Sequence, residues 1–218
     1  MSGIKFITAV LSLLFIFSPA WAEEDVFRHP LGPLTLDVFN KTSTRLAENP
    51  IVRGNFEQER VLSRFNRSLE SSGNFIIAAD LGMLWETLQP FPSALALGKD
   101  YLIQSRPGGQ RAVLSAQGNE TFLRLAEVIS AVFSGRTQGL MDNFEVYYSG
   151  STLDWEMGLI PRDRTIASFA VRITMKGGAE IRSILINEQN GDTITYTLSN
   201  HSYPPELTVH EKFFFTPP

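Results

Sequence analysis

Apolar residues recur along this chain at two spacings, and each spacing predicts a different element. Between Leu34 and Glu48 the step is four. Leu34, Val38, Thr42 and Leu46 fall on one line with Phe39 beside them, and Asn49-Pro50 stops the run, so a helix is expected. A second stripe, Phe122, Leu125, Ala126, Ile129, Val132 and Phe133, keeps Arg124, Glu127 and Ser130 off its apolar side and closes at Gly135. Elsewhere the step is two. Strands are expected at Val52–Val61, Gly73–Ala79, Leu84–Leu88, Ser93–Gly98, Tyr101–Gln104 and Arg111–Ala116 in the first half. Phe144–Ser149, Thr152–Ile160, Ile166–Met175, Glu180–Glu188 and Thr193–Leu198 follow, with Gly177-Gly178 and Asn190-Gly191 at hairpin positions that need positive φ. Val209–Phe215 reads as a further strand, and Glu23–Pro33, with its two prolines, as an exposed lead.

The pattern gives about ten or eleven strands and two helices, one ahead of the sheet and one inserted mid-chain. No linker, repeat or low-complexity run divides it, so a single domain over residues 23–218, mainly β with α, is the economical reading. An antiparallel sheet of that size has two faces, and two short helices cannot seal it while it stays flat. The sheet is therefore expected to curl, with the helices over its concave side and a cavity between them.

Ahead of the domain, Lys5 precedes an apolar run, Ile7 to Phe17, which Ser18-Pro19 breaks. Ala20-Trp21-Ala22 then sets small residues at the two positions a signal peptidase inspects. The run is far short of the ~20 residues a membrane span needs. Residues 1–22 are thus expected to be a cleaved export signal on a soluble protein. With no cysteine there is no thiol to acylate and no disulfide, so stability must come from burial. Removing Lys5 with the signal leaves 18 basic residues against 23 acidic ones, a net charge of −5, which argues against a nucleic-acid surface. Hydrophobic residues make up 43% of the chain and charged ones only 19%, a surplus of apolar surface that leaves room for an internal cavity.

Candidate chemistry is sparse. His29, His201 and His210 have no metal-ligand spacing, and no nucleophile elbow, P-loop or dinucleotide fingerprint occurs, so neither a metal, a cofactor nor an enzymatic activity is expected. Glu57 with Glu59, and Asp154 with Glu156, stand two apart on strands whose opposite positions are Phe56 and Gln58, or Leu153, Trp155 and Met157. A solvated strand face explains both pairs. What does recur is apolar surface at period two: Leu153, Trp155, Met157 and Leu159; Phe169, Val171 and Ile173; Tyr196 and Leu198; Phe75 and Ile77; Leu95 and Leu97. Each position alone reads as core. Together with the export signal and a lid-like helix, they point to a site for an apolar ligand, and Met157 beside Trp155 suits irregular ligand shapes.

Three strings in the first half, Val52-Arg53-Gly54-Asn55-Phe56-Glu57-Gln58, Ser72-Gly73-Asn74-Phe75 and Leu84-Trp85-Glu86-Thr87-Leu88-Gln89-Pro90, resemble the lipoprotein carrier LolA family, with its G-x-F-x-Q strand, G-x-F/L strand and W-x-x-x-x-P segment. Asp154-Trp155-Glu156-Met157-Gly158-Leu159-Ile160-Pro161 is similar to the family's D-W-x-L-x-P element, and Asn190-Gly191-Asp192-Thr193 to its last hairpin. The similarity runs from about Leu34 to Phe215. It implies an incomplete antiparallel β-barrel with a helical lid over a hydrophobic cavity. It also implies a periplasmic carrier of acylated lipoprotein, with an inner-membrane transporter as donor, an outer-membrane acceptor, and a monomeric state. The cavity wall would then comprise Phe56, Phe75, Ile77, Trp85, Leu95, Leu97, Trp155, Met157, Phe169, Val171, Ile173, Tyr196 and Leu198, with Phe122, Ile129, Val132 and Phe133 as the underside of the lid. One stretch departs from the family. Ala78-Ala79-Asp80-Leu81-Gly82-Met83 lacks the arginine and proline that LolA proteins place before the tryptophan to tie sheet to lid. Free lipid or another apolar metabolite is therefore kept as the alternative cargo. A scaffold with a solid core that binds a partner peptide is a reading from another class, and a lipid-processing enzyme would need a nucleophile beside a base, a grouping the sequence does not offer.

Overall fold

The computed structural model describes residues 25–98, 101–114, 128, 131–132 and 137–217. The expected export signal and the lid residues Phe122, Ile129 and Phe133 lie outside the described residues. Eleven strands form one antiparallel sheet: β1 Ile51–Leu62, β2 Arg67–Ala78, β3 Gly82–Gln89, β4 Ser93–Leu97, β5 Leu102–Ser105, β6 Arg111–Leu114, β7 Phe144–Gly150, β8 Trp155–Pro161, β9 Ala170–Gly177, β10 Ile181–Glu188 and β11 Thr193–Ser202. Their spatial order is β6-β5-β4-β3-β2-β1-β11-β10-β9-β8-β7. Two meanders are thus joined through β1 and β11, and the edges β6 and β7 do not pair, which makes an incomplete barrel. Strand β6 forms one edge of the sheet and β7 the other. Between them in sequence, Val128 and Val132 are helical and buried in the same apolar cluster as the inner face of the strands.

Helix α1, Pro33–Leu46, covers the inner face of the sheet. Its first turn is set by Pro33 and by the Thr35 hydroxyl, which accepts from the Gly32 N–H at 3.1 Å. The buried positions are Phe39, Thr42, Ser43 and Leu46, an i, i+3, i+4, i+7 stripe, whereas Leu34 is 95% exposed and lies off it. Thr42 and Tyr148 of β7 share a buried hydroxyl–hydroxyl bond of 2.7 Å, and the Phe39 ring meets Tyr148 edge-on at 5.6 Å. Short helices α2, Thr137–Asn143, and α3, Arg164–Ala167, precede β7 and β9. Asp163 caps α3 by accepting from the N–H groups of Thr165 and Ile166, so Ile166 and Ala167, expected to be strand, are helical.

Both ends of the chain differ from expectation. The N-terminal lead exposes Asp25, Arg28, Pro30 and Pro33, but it is docked on the sheet rather than free. Val26 is buried, and with Phe27 it lies where a side chain on Gly158 would stand. Pro30 bridges Tyr147, the His29 carbonyl accepts from the Tyr148 N–H, and the Leu31 N–H donates to the Val146 carbonyl, each at 2.9 Å. The lead therefore wraps the β7 edge and protects it from further pairing. At the other end, Val209–Phe214 is helix α4 rather than a strand. Thr208 and Glu211 form a reciprocal capping box three residues apart, a local signal that outweighs the β-like composition of the Phe-rich run. Leu207 and Phe215 pack with Ile76, Ala78, Leu84, Ala94, Ala96 and Ile103 in a second cluster on the outer face. Arg53 holds Glu211 at 2.6 Å, and Arg111 donates to the Phe213 carbonyl at 2.9 Å while lying 4.0 Å over its ring. Part of β2 to β5 is consequently buried on both faces, which is why Phe75-Ile76-Ile77-Ala78 is apolar without alternation.

Candidate functional site

The two Gly-x-Phe strings face each other. In the β1–β2 register Gly54 is opposite Phe75 and Phe56 is opposite Gly73, so each ring covers the glycine of its neighbour. A Cβ on Gly54 would stand 2.6 Å from the Phe75 ring, and one on Gly73 would stand 3.0 Å from the Phe56 ring and on top of the Glu86 carbonyl of β3. Gly73 sits at a register shift between β2 and β3, where the strands close in. Glycine here lets aromatic rings lie flat against the sheet. Trp155 and Gly177 repeat the device across β8 and β9, with the indole N–H donating to the Gly178 carbonyl at 2.9 Å.

On that platform stands Trp85, cross-strand from Phe75 and stacked on Phe56 with ring centroids 4.2 Å apart. Tyr196 of β11 meets Trp85 edge-on at 5.2 Å and Phe56 at 6.3 Å. Phe56, Phe75, Ile77, Leu97, Val132, Trp155, Met157, Ile173 and Leu198 are buried in the one inner cluster, and Trp85, Leu95, Phe169 and Tyr196 are half-buried against it. The described wall residues inferred from the sequence thus converge, with one exception. Val171 is 46% exposed. Asn187 pairs with Arg172 and Glu188 with Ala170, so Val171 is the extra residue of a β-bulge, and the alternation that joined it to Ile173 is broken there. Leu153, expected beside Trp155, is likewise exposed because β8 begins only at Trp155.

Tyr196 keeps part of its surface accessible, while burial pushes its phenol up to about 12. Trp85, Leu95 and Phe169 share its half-buried state. The cleft on the outside of β1, β2 and β11, about 630 Å³, is of another kind, lined by Glu57, Glu59, Glu70, Thr195 and Thr197. That lining does not suit an apolar ligand.

Near the end of the inner face lies a polar group absent from the apolar pattern of the sequence. Arg60 donates to Glu188 at 2.7 Å, and the Glu188 side chain is only 2% exposed. The signal was available, since Arg60 continues the inner parity of Phe56 and Gln58. The carboxylate pairs weighed from sequence have structural partners: Glu59 accepts from Ser68, Asp154 from Arg182, and Glu156 lies 3.7 Å from Lys176. Among the described residues no cluster of three or more His, Cys, Asp or Glu could hold a metal ion. His201 sits under the Phe75 ring, 5.6 Å away. Burial holds its imidazole below the ordinary value, against the opposing pull of Glu180 at 3.3 Å and a backbone hydrogen bond with Ile181. A histidine that resists protonation when folded but accepts it when unfolded removes stability as the pH falls below about 6.5. Urea midpoints between about pH 7.5 and 5.5 should therefore decline more steeply in the wild type than in His201→Gln.

No family model matches the chain, and no curated protein matches it in sequence. Among solved structures, similarity is found to a LolA superfamily protein from Nitrosomonas europaea, at 10% identity and TM-score 0.49, covering 83% of this chain and 96% of the other. MucB is similar at 14% identity and TM-score 0.48, covering 83% and 63%. A DUF1329 family protein from Desulfovibrio piger follows at 9% and 0.46, covering 82% and 96%.

Proposed function

We propose that this protein carries an acyl chain, or a ligand of similar apolar shape, against the inner face of its open barrel. The observation that carries the reading is the half-buried shelf of Trp85, Leu95, Phe169 and Tyr196 beside the buried residues of the inner cluster. A fully packed core would leave no reason for large aromatic groups to keep accessible surface there. Ten methylenes laid on such a wall would contribute on the order of 8 kcal/mol before ordering costs. That sum suffices to hold one or two chains away from water. It is less than a multi-acyl anchor gains in a bilayer, so loading needs an energy source and release needs a more apolar acceptor. The motif resemblance supports the finer reading: transfer of acylated lipoprotein across the periplasm, from an inner-membrane transporter to an outer-membrane acceptor. The export signal read in residues 1–22 agrees with that compartment, and no helix among the described residues is long and apolar enough to cross a membrane.

The missing arginine before Trp85 favours keeping a second cargo, a free lipid or other apolar metabolite, within the same reading. Mass spectrometry of an organic extract of the purified protein separates the two. An acylated peptide supports the lipoprotein cargo, and a free lipid supports the other.

A further inference from the structure

The longest hairpin of the sheet carries a feature that neither burial nor catalysis uses. β2 continues from Ser71 back to Arg67 beyond the point where its neighbour β3 ends, since Gln89 pairs with Ser72. The tip therefore projects, and residues 63–70 are all exposed. At its turn stand Ser63-Arg64-Phe65-Asn66-Arg67, with Asn66 in the left-handed region at φ 48°. Phe65 is 71% exposed and Leu69 54%. In the adjacent β3–β4 turn, at the same end of the barrel, Phe91 is 81% exposed. The tip is fixed in place, because the Ser63 N–H donates to Asp192 Oδ1 at 3.0 Å and its hydroxyl to the Gly191 carbonyl. An isolated exposed apolar residue needs no explanation, but several on one projecting end do.

Charge selects the occupant. The chain carries a net charge of −4, yet residues 63–67 hold two arginines and no acid. Arg64 and Arg67 make no ion pair among the described residues; Asp192, which accepts from the Ser63 N–H, lies 3.7 Å from Arg60, and Glu59 and Glu70 face each other further down the hairpin on the outside of the sheet. Two unpaired cations beside an exposed phenylalanine and leucine match an anionic bilayer surface, whose headgroups attract the guanidinium groups while the apolar side chains enter the acyl boundary. We propose that the β1–β2 hairpin tip docks the protein on anionic membranes. The inference does not depend on what the barrel holds.

Vesicle flotation tests it, with the protein lacking residues 1–22 and vesicles of phosphatidylcholine alone or mixed in equal parts with phosphatidylglycerol. The wild type is expected to float with the anionic vesicles and not with the neutral ones. Arg64→Gln with Arg67→Gln should weaken that binding by about thirtyfold, and Phe65→Ser with Leu69→Ser by at least about tenfold. Circular dichroism checks that both variants stay folded, as expected for exposed positions. Failure of the wild type to bind anionic vesicles, as when the tip serves an acidic protein instead, overturns the proposal. Equal flotation of wild type and variants also overturns it.

Discussion

Replacing Gly73 with alanine is expected to be among the most damaging single-methyl changes in this protein, costing on the order of 3 kcal/mol. The new Cβ would stand on the Glu86 carbonyl of β3, a backbone atom with no rotamer to escape through, and 3.0 Å from the Phe56 ring. Relief requires β2 and β3 to part, which breaks the ladder that positions Trp85 opposite Phe75. Gly139→Ala is the matched control. Gly139 lies in helix α2 with nothing within 4 Å of its ideal Cβ, so alanine there should stabilise by up to about 1 kcal/mol. The pair is read from urea midpoints. Equal midpoints for Gly73→Ala and wild type would show that the close approach of β2 and β3 is not a constraint.

Trp85→Ala should weaken binding of a fluorescent long-chain fatty acid by at least about tenfold, because the indole is the largest half-buried group on the inner face. The same substitution removes a ring stacked at 4.2 Å on Phe56, so folding stability should fall by roughly 3 kcal/mol. Affinity is therefore compared at a temperature where circular dichroism shows both proteins folded. Val171→Ser gives the contrast. The bulge in β9 turns Val171 outward, and its loss should leave affinity within about twofold of wild type, as expected of an exposed position outside the site. Reversal of the two results would place the binding surface on the wrong face of the sheet.

Much of this arrangement can be read from the chain, and the exceptions have definite causes. Period two located the strands because most positions of β8, β10 and β11 face either core or solvent, and the Gly-x-Phe spacing of β1 and β2 marked the aromatic platform. Arg67 to Ser72 carries almost no apolar alternation, and it is a strand because the hairpin from β1 supplies a partner. Val171 was misplaced by a bulge, which is set by pairing with β10 and has no signature in β9 itself. Leu34 joined the predicted stripe of α1 by counting in fours, whereas the buried face follows Phe39, Thr42, Ser43 and Leu46. Helix α4 could have been found, since Thr208 and Glu211 are a capping box in plain sequence. The inward parity of Arg60 is legible in β1, but its partner Glu188 is far away in sequence and follows only from the β1–β11–β10 order.

The central claim is that acyl chain occupies the hollow beside Trp85 and Tyr196. Native protein, purified without detergent and extracted with organic solvent, answers it most directly. The account predicts a stoichiometric acyl compound in the extract, greatly reduced when Trp85 is alanine. An extract free of such compounds, together with a melting temperature unmoved by added fatty acid, would contradict it.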